Sequence, residues 1–173
     1  KVPVLECVRR VEEERAKTGA PKAYLPIDGL KSYDAAVQEL VFGKDSEARK
    51  SGRIVTVQAI GGTGGLKVGA DFLRVLNPKA TVWISEPSWE NHRALFEGAG
   101  FTVKAYPYYD AATHGLNFAG MKSALQALPA GSIVVLHSCC HNPTGVDLTK
   151  SEFLEFYAAG GTDLVLVVDL GEV

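Results

Sequence analysis

Residues 80–106, ATVWISEPSWENHRALFEGAGFTVKAY, place two short β-branched runs on either side of a helical stretch. The runs ATVWIS and FTVKAY are mostly apolar and show no strict alternation, which is typical of strands that helices cover on both faces. Two consecutive strands joined by a helix form a right-handed crossover and lie parallel in one sheet. This stretch therefore predicts an α/β fold with a mainly parallel sheet and helices on both faces.

The alternation continues before and after this stretch. Three further strands are predicted in RIVTVQAI (53–60), SIVVLHS (132–138) and DLVLVVD (163–169). Helices are predicted from about Leu66, within residues 117–128 and after Thr149. Thr149 and Glu152 have the spacing of a capping box, which indicates where the last helix begins.

Residues 1–50 have helical periodicity instead. Apolar residues recur at helical spacing between Val2 and Lys17, and again from about Asp28 until Gly43 ends the pattern. No linker or internal repeat interrupts the chain. We therefore expect one domain over residues 1–173, with a helical lead-in over 1–50 and an alternating β/α part over 51–173.

Composition narrows the classes of partner. The chain has 46% hydrophobic and 22% charged residues and a net charge of -2, which fits a globular protein and predicts neither nucleic-acid nor membrane binding. No apolar run has the length of a membrane helix and the first residues lack a secretion signal, so a cytoplasmic location is expected. Three cysteines, two of them adjacent, make no disulfide framework.

Glycines dominate the predicted loop GGTGG at residues 61–65. Ligands of parallel sheets bind outside the carboxyl ends of the strands. Bare N–H groups at a helix N-terminus, with the Thr63 hydroxyl beside them, suit a phosphate group. A tight turn is the alternative, and the loop alone leaves both open. The loop matches neither GxGxxG nor GxxxxGK[ST], which disfavours dinucleotide and P-loop sites.

Three other strand ends carry candidate site residues. In SEPSWENHR, Trp89 and His92 are expected on one helix face, where they suit a flat heteroaromatic ligand; a core tryptophan with a surface histidine is the alternative. Asn142, held extended before Pro143, is expected to point into a cleft, unless NPTG is a plain β-turn. Asp169 ends an apolar strand and needs a cationic or N–H partner, unless it is a helix cap or a solvated loop acid.

A metal site is an alternative for the run HSCCH at residues 137–141. An extended backbone scatters these side chains over both faces, however, and CxxC spacing is absent. We expect packed or supporting roles for them and no metal site.

The motifs YLPIDG, GGTGGLKVGADFL, WISEPSWENH, YPYYDAATHG and HSCCHNPTGVDLT together resemble the aspartate and aromatic amino-acid aminotransferases. The resemblance covers about residues 2–150 and implies part of the large domain of a fold type I transferase that depends on pyridoxal phosphate. It implies amino-acid and 2-oxo-acid substrates and a homodimer. The motifs EPSWENH and YPYYD favour the aromatic amino-acid aminotransferases over the aspartate aminotransferases.

The resemblance also implies roles for individual residues. Gly62, Thr63 and Gly64 would hold the cofactor phosphate, and Trp89 would stack on the pyridine ring and contact the substrate. Asn142 would bind the ring hydroxyl and the substrate carboxylate, and Asp169 would pair with the ring nitrogen. His92 and His137 would support Asp169, and Tyr24 would reach the cofactor phosphate in the neighbouring subunit.

The family's Schiff-base lysine and substrate-binding arginines normally follow the aspartate strand at some distance, and family chains are more than twice this length. No lysine here occupies the matching position, so we expect no catalytic residue within the 173 residues, only in the parent enzyme. The tyrosine that the family places three residues after the aspartate is also missing.

Two other functions stay open at this point. One is a non-catalytic, truncated or designed α/β domain that binds pyridoxal phosphate or another phosphate without a covalent bond. The other is a nucleotide-binding domain, which lacks GxGxxG and has only Glu86 as a candidate ribose-binding acid.

Overall fold

The structure is a computed structural model that describes residues 2–19, 21–159 and 164–171. Its internal contacts divide the chain into two compact units, Lys1–Gln58 and Ala59–Val173, and each is described by itself. The single domain over residues 1–173 stays a prediction.

Short helices make up the first unit. They are α1 (Glu6–Thr18), α2 (Lys31–Phe42) and α3 (Glu47–Lys50). Gly19 ends α1 in the left-handed conformation, at a φ of 58°, which glycine adopts without steric cost. The two predicted helices are confirmed, although α2 begins three residues later than Asp28.

The strand predicted over residues 53–60 is wrong. These residues are irregular in the structure, and the side chains of Val55 and Ile60 are 87% and 94% exposed. A strand needs a neighbour to accept and donate its main-chain hydrogen bonds. Gln58 donates its N–H to the carbonyl of Asp28, but no strand of the described residues pairs with this segment.

The second unit alternates strands and helices. In chain order its elements are α4 (Gly61–Leu76), β1 (Thr81–Glu86), α5 (Glu90–Gly98), β2 (Thr102–Pro107), β3 (Tyr109–Asp110), β4 (Gly115–Leu116), α6 (Phe118–Gln126), β5 (Ile133–His137), α7 (Lys150–Ala159) and β6 (Val165–Asp169). Four strands form a parallel sheet in the order β2-β1-β5-β6, which confirms the predicted sheet. The small antiparallel pair β3-β4 was not predicted.

Helices cover both faces of this sheet. Residues of β5 alternate between two buried clusters: Ile133 and Val135 pack with Ala70 of α4 and Phe96 of α5, whereas the next residues along the strand face the other side. That second cluster contains Val134, Leu136, Met121, Leu125 and Phe156. Every residue of β5 is therefore buried, which explains its continuous apolar run.

The parallel arrangement brings three strand ends to one edge. β1 ends at Glu86, and His137 of β5 lies opposite Asp169 of β6 in the strand register. The loops and helices that follow these strands therefore meet there. Among the described residues, no helix combines the length and the apolar character needed to span a membrane.

Candidate active site

The N-terminus of α4 forms one end of the site. The helix begins at Gly61, not near Leu66, so the glycines predicted as a loop form its first turn. Gly61 has a φ of 64°, which accounts for glycine at that position. The N–H groups of Gly62 and Thr63 have no acceptor among the described residues, as is usual for the first turn of a helix. This end of the helix is therefore a donor site for an anion.

Gly62 and Gly64 differ in what they offer. Gly62 lines the cleft, and a Cβ atom built on it would meet nothing within 4 Å, so the packing of the chain does not require glycine there. Gly64 does not line the cleft, and its N–H donates to the Ile60 carbonyl at 3.2 Å. The structure therefore brings Gly62 and Thr63 to the site but not Gly64.

Asp169 lies at the end of β6, with its side chain 21% exposed. Its Oδ1 accepts the N–H of Gly171 at 2.9 Å, and its Oδ2 lies 2.9 Å from Nε2 of His92. Burial opposes ionisation of this carboxyl, but the bonds from Gly171 and His92 outweigh it and hold the pKa of Asp169 below its ordinary value. The side chain is therefore a carboxylate at neutral pH.

His92 lies behind this carboxylate and is fully buried. Its Nδ1 lies 3.0 Å from the Ser88 hydroxyl. Because a carboxylate only accepts hydrogen bonds, Nε2 donates to Asp169, and the Ser88 hydroxyl is the partner of Nδ1. The alternative of a surface histidine is wrong, since α5 turns the ring into the protein.

Two further rings adjoin His92. The Trp89 ring meets it edge-on, with centroids 5.3 Å apart at 88°, so the two rings are adjacent as predicted, although Trp89 lies just before α5 rather than within it. The His137 ring centroid lies 5.0 Å away on the other side. Burial and the adjacent His92 hold the pKa of His137 below its usual value, so its ring is neutral at pH 7.

Asn142 lies in a turn after β5. Gly145 closes this turn by donating its N–H to the His141 carbonyl at 2.7 Å. The Asn142 side chain is exposed and lines the cleft, and its amide has no hydrogen-bond partner in the parts of the chain that the structure describes. A polar group in this position is available to a ligand.

These groups surround one cleft of about 650 Å³ within the second unit. Of the predicted site residues, its lining includes Gly62, Thr63, Trp89, His137, Asn142 and Asp169. Tyr24 belongs to the first unit, where its side chain is fully exposed.

Sequence reasoning missed several lining residues, namely Leu66, Cys140, Pro143, Gly145 and Gly171, and gave His141 no specific partner. His141 is 2% exposed, and its Nε2 lies 2.9 Å from the hydroxyl of Ser85. Ser85 precedes it by 56 residues, so no local pattern connects the two. The two histidines of HSCCHN were the one feature of the sequence that indicated a role for His141.

His92, His137 and Asp169 each bring one potential metal-ligand atom within 4.8 Å of the others. The 2.9 Å contact between His92 and Asp169 is a hydrogen bond that already satisfies both groups. We therefore interpret His92 and His137 as residues that support the Asp169 carboxylate, not as metal ligands.

Comparison with known proteins identifies the family. The family described as aminotransferase class I and II matches residues 1–170. The chain belongs to this aminotransferase family. The aspartate aminotransferase of Pseudomonas aeruginosa is 62% identical over 153 residues, and the aromatic-amino-acid aminotransferase of Escherichia coli is 48% identical over 153 residues. Each match covers 88% of this chain and 38% of the relative.

A solved structure agrees with this assignment. The aromatic-amino-acid aminotransferase of Burkholderia pseudomallei, covalently bound to pyridoxal phosphate, superposes with a TM-score of 0.92 at 58% identity. It covers 98% of this chain, which in turn covers 43% of that protein. The predicted fold, part of a fold type I aminotransferase, is thereby confirmed. The chain spans about two fifths of the length of the relatives that it matches.

Proposed function

We propose that this chain is the cofactor-binding part of a pyridoxal-phosphate-dependent aminotransferase, which transfers an amino group from aspartate or an aromatic amino acid to a 2-oxo acid. The observation that carries the proposal is the ionised Asp169 carboxylate, held at the floor of a cleft whose other end is a bare helix N-terminus. The relatives are named as aminotransferases, which favours an enzyme over a non-catalytic binding domain.

The cleft fits the cofactor at its phosphate end. The free N–H groups of Gly62 and Thr63 point from the start of a helix, where the helix dipole favours negative charge. The Thr63 hydroxyl adds a third donor. The open space where a Gly62 side chain would lie supports the same use, because a phosphate must approach the backbone closely. Gly64 is left out of this proposal, since its N–H is already bonded.

The cleft also fits the pyridine ring. Trp89 offers a flat indole edge or face at the cleft wall, and Asp169 offers a carboxylate able to accept an N–H from the ring nitrogen. His92 donates to the same carboxylate from behind and so keeps it oriented, and His137 packs against His92. When bound, pyridoxal phosphate supplies an electron sink for breaking the bond between the substrate Cα and its proton, provided that the ring nitrogen is protonated.

The remaining roles extend to the substrate and the partner subunit. The free amide of Asn142 is proposed to donate to the ring hydroxyl oxygen and to help hold the substrate carboxylate. Tyr24 is proposed to reach the phosphate of a neighbouring subunit in a homodimer, a use compatible with its full exposure here. The lysine and the arginines of the family are expected in the part of the relatives' length that this chain does not cover. A cytoplasmic location completes the proposal.

Titration of the 173-residue chain with pyridoxal 5'-phosphate tests this proposal. We expect saturable binding, seen as a change in cofactor absorbance, that dialysis reverses even after borohydride treatment, because no lysine lines the described cleft. Absence of saturable binding would contradict the proposal. Amino transfer by the parent protein, assayed with aspartate and with phenylalanine as donors, then separates the two substrate classes.

A further inference from the structure

His141 lies beneath the turn that carries Asn142, and both of its ring nitrogens have a hydroxyl partner. Its Nε2 lies 2.9 Å from Oγ of Ser85, and its Nδ1 lies 2.8 Å from Oγ1 of Thr144. Ser85 belongs to β1, whereas Thr144 belongs to the turn. The buried imidazole therefore joins the sheet to the turn.

The hydrogen bonds of Thr144 indicate which nitrogen carries the proton. Val146 donates its N–H to Oγ1 of Thr144 at 3.1 Å, so this oxygen already accepts one hydrogen bond. Its own hydroxyl hydrogen is then best satisfied by donation to Nδ1 of His141. Nε2 carries the ring proton and donates it to Ser85. These contacts fit a neutral ring, and burial lowers the pKa of His141 to about 4, which keeps the ring neutral at pH 7.

Other groups hold the same turn. The Tyr108 ring stacks on the His141 ring, with centroids 3.9 Å apart at an angle of 10°, and its hydroxyl donates to the Val146 carbonyl at 2.6 Å. The carboxylate of Asp147 accepts the N–H groups of Cys140 and His141 at 2.9 and 2.8 Å. The backbone on both sides of Asn142 is thus fixed by side chains.

The amide of Asn142 itself has no such restraint among residues 2–19, 21–159 and 164–171, so its place in the cleft depends on the turn. We infer that His141, acting through Thr144, is a positioning residue that holds the Asn142 amide toward the cofactor ring. This inference rests on the proposed function, since it needs a ring in the cleft. It assigns His141 no contact with the cofactor or the substrate.

A matched pair of variants at Thr144 tests the inference. Thr144→Val removes the hydroxyl with little change in shape, whereas Thr144→Ser keeps it. We expect Thr144→Val to weaken binding of pyridoxal 5'-phosphate about tenfold, because the turn that carries Asn142 loses its bonds to the His141 ring and to the Val146 N–H, and Thr144→Ser to restore most of the affinity. Inorganic phosphate, measured as a competitor, is expected to bind both variants as it binds the unchanged chain, since its donors lie on α4.

The outcomes are separable. Equal loss of affinity for the cofactor and for inorganic phosphate indicates general damage to the fold and overturns the inference. Unchanged cofactor affinity in Thr144→Val overturns the inference while the proposed function stands. Failure of the unchanged chain to bind the cofactor overturns both.

A measurement without cofactor checks the same point. The ¹⁵N chemical shifts of the His141 ring are expected to show a protonated Nε2 and an unprotonated Nδ1 that do not titrate between pH 5 and 8. In Thr144→Val this tautomer preference is expected to weaken. A ring that titrates near pH 6.5, or that carries its proton on Nδ1, would contradict the inference.

Discussion

At the α4 end of the cleft the available groups are main-chain N–H groups, whereas at the β5 and β6 end they are side chains held by other side chains. Gly62 and Thr63 offer donors that nothing else in the described structure uses. Asp169 and Asn142, by contrast, depend on His92 and His141 behind them. At the α4 end, the donors are available because of helix geometry and because glycine has no side chain. At the β5 and β6 end, the groups are held in place by hydrogen bonds between residues distant in sequence. The two ends should therefore respond differently to pH and to mutation.

The largest expected effect concerns His141 and pH. A buried histidine whose folded pKa is about 4 binds fewer protons than it does in the unfolded chain, where the pKa is about 6.5. Its contribution to stability is thus complete above pH 6.5 and is lost as the pH falls toward 4. We expect the free energy of unfolding to drop by about 3 kcal/mol over this range from His141 alone.

Urea denaturation at several pH values measures this dependence. His137 contributes a change of the same sign, because burial also lowers its pKa, so the difference between the unchanged chain and His141→Gln is the quantity to compare. His114→Gln, at an exposed histidine, serves as the control. A pH dependence that His141→Gln leaves unaltered would show that this histidine is not buried in neutral form.

Asp169→Asn is expected to have the next largest effect. The variant keeps the size of the side chain and an oxygen that can accept from His92, but it removes the charge that faces the ring nitrogen. We expect affinity for pyridoxal 5'-phosphate to fall about 100-fold, as for the loss of a hydrogen bond to a charged group. Asp71→Asn, at an exposed acid on α4, should leave the affinity unchanged. Similar affinities for both variants would contradict the proposed contact between Asp169 and the ring nitrogen.

Gly62→Ala separates stability from binding at the other end. Its added Cβ meets no atom of the protein within 4 Å, so the helix should gain stability by about 0.5–1 kcal/mol. The same Cβ occupies space at the cleft, and we expect cofactor affinity to fall about tenfold, as for the loss of one donor contact. Gly69→Ala, whose Cβ is equally free, should give the gain in stability without the loss of affinity. Thermal denaturation and cofactor titration of both variants measure the two effects.

Thr63→Val is expected to have the smallest effect. It removes one hydroxyl donor from the phosphate end and leaves the main-chain N–H groups in place. We expect cofactor affinity to fall about fivefold, as for the loss of one hydrogen bond between neutral groups, and Thr63→Ser should restore the affinity. A loss of affinity larger than that of Gly62→Ala would mean that the Thr63 hydroxyl contributes more to phosphate binding than the main-chain N–H groups do.

The sequence was a good guide to what local pattern determines. Four of the five predicted strands form, because their β-branched runs pair in one parallel sheet, and the run over Ile133–His137 is buried on both faces. Residues 53–60 have the same composition but form no strand, since a strand also needs a neighbour that composition does not reveal. The start of α4 was placed too late because glycine disfavours helices, although here it forms the first turn.

The site followed a similar division. Trp89, Asn142 and Asp169 were predicted because they lie at or after the ends of strands of the parallel sheet, and such ends meet at one edge, whereas Thr63 was predicted from the glycines around it at the start of a helix. The part played by His141 was not predicted, because it depends on contacts with Ser85 and Tyr108, which are distant in sequence. Pairings of this kind become visible only when the chain is folded.

The central claim is that Asp169 holds a protonated pyridine nitrogen in the cleft. The most direct measurement is the ¹⁵N NMR spectrum of ring-labelled pyridoxal 5'-phosphate bound to the 173-residue chain at pH 8. We predict the shift of a protonated ring nitrogen in the unchanged chain and that of an unprotonated nitrogen in Asp169→Asn. An unprotonated nitrogen in the unchanged chain, or the same shift in both proteins, would contradict the account.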